Sequence, residues 1–241
     1  MSSHPDRPVA LVTGGARGIG RAVVEALARE GWRVHFSALT TDSVGRALAE
    51  LSRDFGDQVS GQAVDVRDSA AVAAHVASVL EAAGRLDLLV NNAGLGYFAS
   101  VDELEPEDWR RVLATNLDGP FFYLHAAARH MKERGSGWII NVASLAARSG
   151  FAGGAAYNAS KFGLLGLTEA AMLDLRRFGV RVAAVLPGSV STEFAHPAPG
   201  GGDWKLQPAD VAEAILDLLR FPPRALPSLI ELRPSRPPAK G

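Results

Sequence analysis

The residues best suited to chemistry are a tyrosine and a lysine four positions apart, Tyr157 and Lys161. On a helix this spacing places both side chains on one face, one turn apart. A free phenol has a pKa of about 10, and a nearby cation lowers that value by stabilising the phenolate. The pair therefore predicts a phenol that exchanges a proton with a carbonyl or alcohol oxygen. Because a long helix can carry such a pair by accident, other stretches of the chain must support the prediction.

A glycine-rich stretch near the start of the chain lies between a predicted strand, Val9–Val12, and a predicted helix. Its glycines follow the pattern Gly-x-x-x-Gly-x-Gly, at Gly14, Gly18 and Gly20. Free N–H groups at a helix N-terminus attract phosphate, and glycine lets a pyrophosphate approach the backbone closely. The stretch predicts a dinucleotide site, although neither Gly-x-Gly-x-x-Gly nor a Walker loop is present. A simple glycine-rich turn is the alternative interpretation.

Apolar runs and helical patterns alternate along the whole chain. After the first strand, six further strands are predicted at 34–38, 59–66, 86–90, 138–142, 180–186 and 229–232. The intervening helices include one that Asp42 caps, one that Ser69 caps and one long helix from Pro106 to about Lys132. This alternation predicts a single α/β domain over residues 1–241, a Rossmann-type doubly wound parallel sheet of about seven strands with helices on both faces.

Polar and small residues follow the predicted strands at the edge where such sheets bind ligands. Asp65 ends the third strand, and Asn91–Gly94 follows the fourth. Ser144 follows the fifth strand, and Pro187–Gly188 follows the sixth. Since the glycine stretch follows the first strand, all of these residues are expected along one edge. This convergence supports the chemical interpretation of Tyr157 and Lys161.

Composition excludes several classes of function. The net charge of −1 gives no field that would favour nucleic acid or an anionic membrane. The chain has no cysteine, so disulfides, thiolate nucleophiles and cysteine-bound metals are excluded, and no histidine pair has metal-ligand spacing. The first seven residues lack the apolar core of a signal peptide, and no apolar run is long enough to span a bilayer. We therefore expect a cytoplasmic protein without a metal site.

Together these stretches resemble the short-chain dehydrogenases/reductases in their compact single-domain form, including members similar to 3-oxoacyl-ACP reductases. The matching pieces fall in the order of the family over residues 7–192: Thr13–Gly20, Asp65–Val66, Asn91–Gly94, Asn116, Ser144, Tyr157-x-x-x-Lys161 and Pro187–Gly188. The resemblance implies an NAD(P)-dependent oxidoreductase that acts on carbonyl/alcohol pairs.

The resemblance also implies a role for each of four catalytic residues. Tyr157 would be the general acid in reduction, and Lys161 would lower its pKa and hold the nicotinamide ribose. Ser144 would hydrogen-bond the substrate oxygen as negative charge develops on it. Asn116 would hold a water that joins Lys161 to solvent, although an asparagine that merely faces water is the alternative.

For the cofactor, the resemblance implies contacts with the adenine at Asp65 and Val66 and with the nicotinamide carboxamide at Thr192. The complete implied set is Gly14, Arg17, Gly18, Ile19, Gly20, Ala38, Leu39, Thr40, Asp65, Val66, Asn92, Ala93, Gly94, Tyr157, Lys161, Pro187, Gly188, Val190 and Thr192.

The end of the second strand bears on the choice between NADP and NAD. An acidic residue there would accept bonds from the ribose 2′-hydroxyl and repel a 2′-phosphate. No carboxylate occurs before Asp42, whereas Arg17 supplies a cation and Ser37, Thr40 and Thr41 supply hydroxyls. We therefore expect NADP rather than NAD.

The sequence says less about the substrate and the quaternary structure than about the cofactor. We expect a substrate lid at about 193–207 and a loose tail from about 233. An apolar or aromatic-tolerant pocket is suggested by Leu95, Tyr97, Phe98, Phe151 and Trp204, although simple packing is the alternative for each of them. The chain ends its last strand with Leu232-Arg233-Pro234 where many thioester reductases have Gly-Gly, which weakens a thioester assignment. The helices from Pro106 and around Tyr157 are apolar on several faces, and this predicts a homodimer or homotetramer.

Two other functions are compatible with parts of the pattern. Nucleotide-sugar epimerases and dehydratases also use Tyr-x-x-x-Lys, but they are longer and usually carry a sugar-binding domain. A non-catalytic cofactor-binding sensor would need neither Ser144 nor Tyr157, and both are present.

Overall fold

The structure, a computed structural model, describes residues 7–192 and 204–236. Seven strands form one sheet in the order β3-β2-β1-β4-β5-β6-β7, and every neighbouring pair is parallel. The strand order reverses between β1 and β4, which opens a crevice at the carboxyl ends of the strands. The strands are β1 (Val9–Thr13), β2 (Arg33–Ala38), β3 (Val59–Ala63), β4 (Leu88–Asn91), β5 (Gly137–Val142), β6 (Val180–Pro187) and β7 (Leu229–Leu232).

Helices cover both faces of the sheet. They are α1 (Gly18–Arg29), α2 (Thr41–Phe55), α3 (Ser69–Ala83), α4 (Pro106–Leu113), α5 (Gly119–Arg134), α6 (Ala155–Leu175) and α7 (Pro208–Arg220). One apolar core joins the sheet to α1, α2 and α7, and a second joins its other face to α3, α5 and α6. Alternating side chains of one strand enter opposite cores, as Leu88 and Leu89 do. The predicted doubly wound architecture is confirmed.

Several predicted boundaries are wrong in detail. β3 ends at Ala63, so Asp65 lies beyond the strand rather than at its end. Thr40, not Asp42, caps α2, because its side-chain oxygen accepts a bond from the Ser43 N–H. Asp68, not Ser69, caps α3 in the same way. In both cases two suitable capping residues lie close together, and sequence alone does not choose between them.

The long helix predicted from Pro106 to Lys132 is interrupted by a π-helical turn at Ala114–Asp118. In this turn the Gly119 N–H donates to the Ala114 carbonyl, five residues back. Pro120 has no N–H to give the Asn116 carbonyl four residues before it, so an undisturbed α-helix is not available here. The interruption places Asn116 at a widened turn, a feature that often accompanies functional sites.

The regions expected to form the lid and the tail are described only in part. Residues 193–203 and 237–241 lie outside the described residues. Within the lid region, Leu206 exchanges backbone hydrogen bonds of 2.8 and 3.0 Å with Ser191 and Ser189. The Gly188 N–H donates to the Leu232 carbonyl at 2.8 Å, which ties the crevice edge to the end of β7. Among the described residues, no helix has the length and apolar character needed to cross a membrane.

Candidate active site

The glycine loop joins β1 to α1 and leaves the start of the helix open. Gly14 and Gly18 have φ values of 66° and 56°, which favour glycine. A Cβ on Gly20 would overlap the Gly14 carbonyl. No side chain caps α1 and no acidic residue lies in its first turn, so its N–H groups face the crevice without a competing anion. This arrangement fits a bound pyrophosphate.

The neighbouring β4 loop braces the glycine loop. The Asn92 side-chain amide donates to the carbonyls of Thr13 and Gly14 at 3.0 and 3.2 Å. The Thr13 hydroxyl oxygen accepts bonds from the backbone N–H groups of Asn92 and Ala93 at 3.0 and 2.9 Å. The side chain of Asn92 thus supports the loop, and any cofactor contact would come from its backbone. The sequence places Thr13 in the matching stretch Thr13–Gly20, and the structure adds its supporting role.

The other predicted cofactor residues lie around this loop. A Cβ on Gly18 would lie 3.4 Å from the Thr192 methyl group, so the segment after β6 reaches the start of α1. Pro187 ends β6. Val190 pairs with Leu206 across this segment. The structure therefore brings the ends of β1, β4 and β6 to one crevice.

Ser144, Tyr157 and Lys161 come together where β5 and α6 meet. Ser144 follows β5, and its hydroxyl hydrogen-bonds the Tyr157 hydroxyl. The Lys161 Nζ lies 5.7 Å from the centroid of the Tyr157 ring and donates to the Val142 carbonyl at 3.0 Å. The predicted pairing of phenol and ammonium on one helix face is present, with a hydroxyl added from the adjacent strand end.

Burial dominates the protonation of this group. Burial raises the pKa of Tyr157, and the hydrogen bond with Ser144 opposes that rise. The direction is opposite to the lowering that the Tyr–Lys pair predicts. Burial also lowers the pKa of Lys161 to about 8, since its side chain is only 4 % exposed and a cation is poorly solvated there. Burial thus disfavours the Lys161 cation, and further oxygen ligands would stabilise it.

Asn116 is fully buried and its side chain is committed to protein contacts. Its amide donates to the Leu95 carbonyl at 2.9 Å and to the Ser160 hydroxyl at 3.0 Å. Its side-chain oxygen accepts the Leu95 N–H at 2.7 Å. Ser160 in turn donates to the Tyr157 carbonyl at 2.7 Å, so Asn116 braces the helix that carries the phenol. Both amide hydrogens are used, and the alternative of an asparagine that faces water is wrong.

The end of β2 differs from one sequence-based expectation. Ser37 is fully buried and accepts a hydrogen bond from the Tyr123 hydroxyl at 3.4 Å. Its suggested role beside a 2′-phosphate is therefore wrong, because its side chain points into the core beneath α5. The Thr40 hydroxyl is engaged with Ser43 at the α2 cap. Ala38 lies at the rim of the core, and Leu39 is 64 % exposed.

Asp65 lies beside the crevice but already has a partner. Arg67 donates to both of its carboxylate oxygens, with a shortest distance of 2.6 Å. The hydrogen bond from Arg67 lowers the pKa of Asp65, so the carboxylate remains ionised. The adenine contact of Asp65 stays a prediction, and Val66 follows it in the second core. Sequence analysis did not single out Arg67.

The buried amide of Asn91 joins strands rather than lining the crevice. It donates to the Asn141 side-chain oxygen on β5 at 2.9 Å, and Asn141 donates to Thr168 on α6 at 2.8 Å. These bonds hold β4, β5 and α6 in register behind the catalytic group.

Comparisons with known proteins agree with this geometry. A D-threitol dehydrogenase of Mycolicibacterium smegmatis is 40 % identical over 196 residues, which cover 81 % of this chain and 75 % of the relative. A trans-4-hydroxycyclohexanecarboxylate dehydrogenase of Sinomonas cyclohexanicum is 38 % identical over 231 residues, which cover 92 % and 88 %. The structure of an actinorhodin polyketide ketoreductase variant with NADPH is similar with a TM-score of 0.88 at 33 % identity, covering 97 % of this chain and 98 % of that one.

A family model described as short chain dehydrogenase matches residues 8–200, which include the glycine loop and the Ser144, Tyr157 and Lys161 group. The chain therefore belongs to the short-chain dehydrogenase family.

Proposed function

We propose that the chain is an NADP(H)-dependent oxidoreductase that transfers a hydride between the nicotinamide and a carbonyl or secondary-alcohol substrate. The observation that carries this proposal is the meeting of Ser144, Tyr157 and Lys161 at the same crevice as the glycine loop. The relatives are named as dehydrogenases and a ketoreductase, which supports the reaction class. They give no support to an epimerase, a dehydratase or a sensor.

In this mechanism NADPH, when bound, supplies the hydride. Ser144 donates a hydrogen bond to the substrate oxygen and stabilises the negative charge that develops there. Tyr157 gives its proton to that oxygen as general acid and recovers it in the reverse direction as general base. The buried Lys161 cation would stabilise the developing phenolate, and its remaining N–H groups would hold hydroxyl groups of the ribose.

Asn116 has a supporting place in the proposed proton path. Since both hydrogens of its amide are used, a water would bind at its backbone carbonyl rather than at its side chain. The π-helical turn and Pro120 deprive that carbonyl of its usual helical donor. Asn116 would then connect Lys161 to solvent through this carbonyl, while its amide holds Leu95 and α6 in place.

The proposal is tested by NADPH oxidation, followed by absorbance, against ketones, aldehydes, quinones, keto-sugars and 3-oxoacyl thioesters. Turnover of at least one class supports the proposal. Tight NADPH binding without turnover of any class would favour the sensor instead.

Two matched variants at Ala38, the last residue of β2, test the preference for NADPH over NADH. Ala38→Asp should lower the ratio of kcat/KM for NADPH over NADH by about tenfold or more, because a carboxylate there repels the 2′-phosphate and accepts from a 2′-hydroxyl. Ala38→Asn has the same size without the charge and should change the ratio much less. Equal effects of the two variants, or a wild type that prefers NADH, would contradict the NADP assignment.

We further propose that the whole chain is one domain and that it forms homodimers or homotetramers. Four large apolar side chains on α4, α5 and α6 are exposed, namely Trp109, Phe121, Phe162 and Leu173. Such a surface is typical of an interface between subunits. Light scattering tests this, and a monomer at micromolar concentration would refute it. The cytoplasmic location stays a prediction.

A further inference from the structure

Two exposed phenylalanines lie against the catalytic phenol. The ring centroids of Phe98 and Phe151 are 5.7 and 6.5 Å from that of Tyr157, and 5.8 Å from each other. Phe98 and Phe151 are 47 % and 48 % exposed, so each presents a large apolar surface to solvent at the catalytic end of α6. We call Phe98, Phe151 and Tyr157 the aromatic wall.

The backbone holds both phenylalanines in position. The Ala99 N–H donates to the Gly153 carbonyl at 2.9 Å, which fixes the residue after Phe98 to the segment before α6. Phe151 packs directly on Gly154, where a Cβ would come within 2.6 Å of the phenyl ring. Because Gly154 has no side chain, there is room for the Phe151 ring to pack against it.

Asn158, the neighbour of Tyr157, ties the same wall to the catalytic helix. Its buried amide donates to the carbonyls of Ala146 and Ser149 at 2.8 and 3.1 Å, and its oxygen accepts the Phe151 N–H at 3.4 Å. These residues belong to the loop that begins at Ser144. Asn158 thus fixes the position of Phe151 and of the Ser144 loop relative to Tyr157.

We propose that the aromatic wall binds the ring of a cyclic or aromatic ketone, or of the corresponding alcohol, while its oxygen meets Ser144 and Tyr157. This inference rests on the proposed function and names its substrate class. Phenyl rings favour burial of an apolar ring and contact it in offset or edge-to-face arrangements. They offer no hydrogen bonds to a polyhydroxy chain, which would lose its hydration against them. The wall therefore favours alicyclic and aromatic ketones over keto-sugars.

The experiment compares 2-tetralone, a bicyclic ketone, with erythrulose, a small keto-sugar, in NADPH-dependent reduction. Wild type should have the higher kcat/KM for 2-tetralone. Phe98→Ala and Phe151→Ala should each lower this value by about 10- to 100-fold, the loss expected when a ligand no longer buries a phenyl ring. The value for erythrulose should not fall by more than about threefold, since a polyhydroxy chain gains no stabilisation from the phenyl rings.

Controls separate the proposal from a general loss of structure. Phe221→Ala removes a ring of similar exposure, 44 %, beyond the end of α7 and should change neither substrate. Phe98→Leu and Phe151→Leu keep an apolar side chain and should retain part of the preference. The NADPH dissociation constant should be the same in every variant.

Three outcomes are distinguishable. Equal losses for both ketones in the alanine variants, or a wild type that prefers erythrulose, would overturn the aromatic wall as a substrate site while leaving the proposed function intact. If no carbonyl compound is reduced by wild type, the proposed function fails, and this inference fails with it. Selective loss of 2-tetralone reduction supports both.

Discussion

Replacing Tyr157 with phenylalanine should lower kcat for carbonyl reduction by roughly 10²- to 10⁴-fold, the range that a positioned general acid contributes. The variant loses one hydroxyl, and with it the proton donor and the hydrogen bond with Ser144. It keeps the ring that contacts Phe98 and Phe151, so the neighbouring packing should persist. The expected result is an enzyme that folds and binds NADPH yet turns over very slowly.

The matched control removes a different buried phenol. Tyr123 lies on α5, where its hydroxyl bonds His75 at 2.9 Å and Ser37 at 3.4 Å, beneath the sheet and outside the catalytic group. Tyr123→Phe should lower the melting temperature but leave kcat within about twofold. Steady-state kinetics, NADPH fluorescence titration and thermal melts separate the effects. Tyr157→Phe activity above a tenth of wild type would remove Tyr157 from its proposed role.

The fold could be predicted because its determinants are local. Continuous apolar runs such as Val182–Leu186 predict strands buried on both faces, and the alternation of strands with helical patterns predicts a parallel sheet. All seven predicted strands are present. The errors lie at boundaries, where nearby residues compete. Thr40 and Asp42 can both cap a helix, and only the three-dimensional path of the chain selects Thr40.

The site could be predicted as a set of positions but not as a set of contacts. The strand-end rule collects Ser144, Asn92 and the glycine loop from the sequence alone. The hydrogen-bond partners of the Asn116 amide, by contrast, are Leu95 and Ser160, and Ser160 lies 44 residues further along the chain. The bond between residues 99 and 153 that positions the aromatic wall is equally non-local. Patterns of local spacing contain no information about such pairs.

Acid should destabilise the protein through two histidines, the buried His75 on α3 and the half-buried His35 on β2. His75 is 2 % exposed, and its Nδ1 bonds the Tyr123 hydroxyl at 2.9 Å. The Nδ1 of His35 on β2 bonds the Ser60 hydroxyl at 2.7 Å, and its buried Nε2 has no hydrogen-bond partner among the described residues. Burial lowers the pKa of each histidine to about 4; Arg33 adds to the effect at His35, and His35 adds to it at His75.

The direction of the pH dependence follows from these values. In the unfolded chain each histidine takes up a proton near pH 6.5, whereas in the folded protein it stays neutral until about pH 4. Between these values the unfolded state binds more protons, so the free energy of unfolding falls as the pH falls. For the almost fully buried His75 the complete window corresponds to about 3 kcal/mol, at about 1.4 kcal/mol per pH unit.

Urea denaturation between pH 7.5 and 4 measures this loss. His75→Gln keeps a neutral side chain that can hydrogen-bond Tyr123 but cannot take up a proton, so its free energy of unfolding should decline by about 3 kcal/mol less than that of wild type over this range. Carboxylates such as Asp87, whose pKa is lowered by hydrogen bonds against an opposing effect of burial, also contribute to acid denaturation, but they contribute equally to both proteins. His125→Gln, at an exposed position on α5, serves as the control and should follow wild type. Parallel curves for wild type and His75→Gln would contradict the prediction, because they would show that His75 takes up its proton over the same pH range in the folded and the unfolded state.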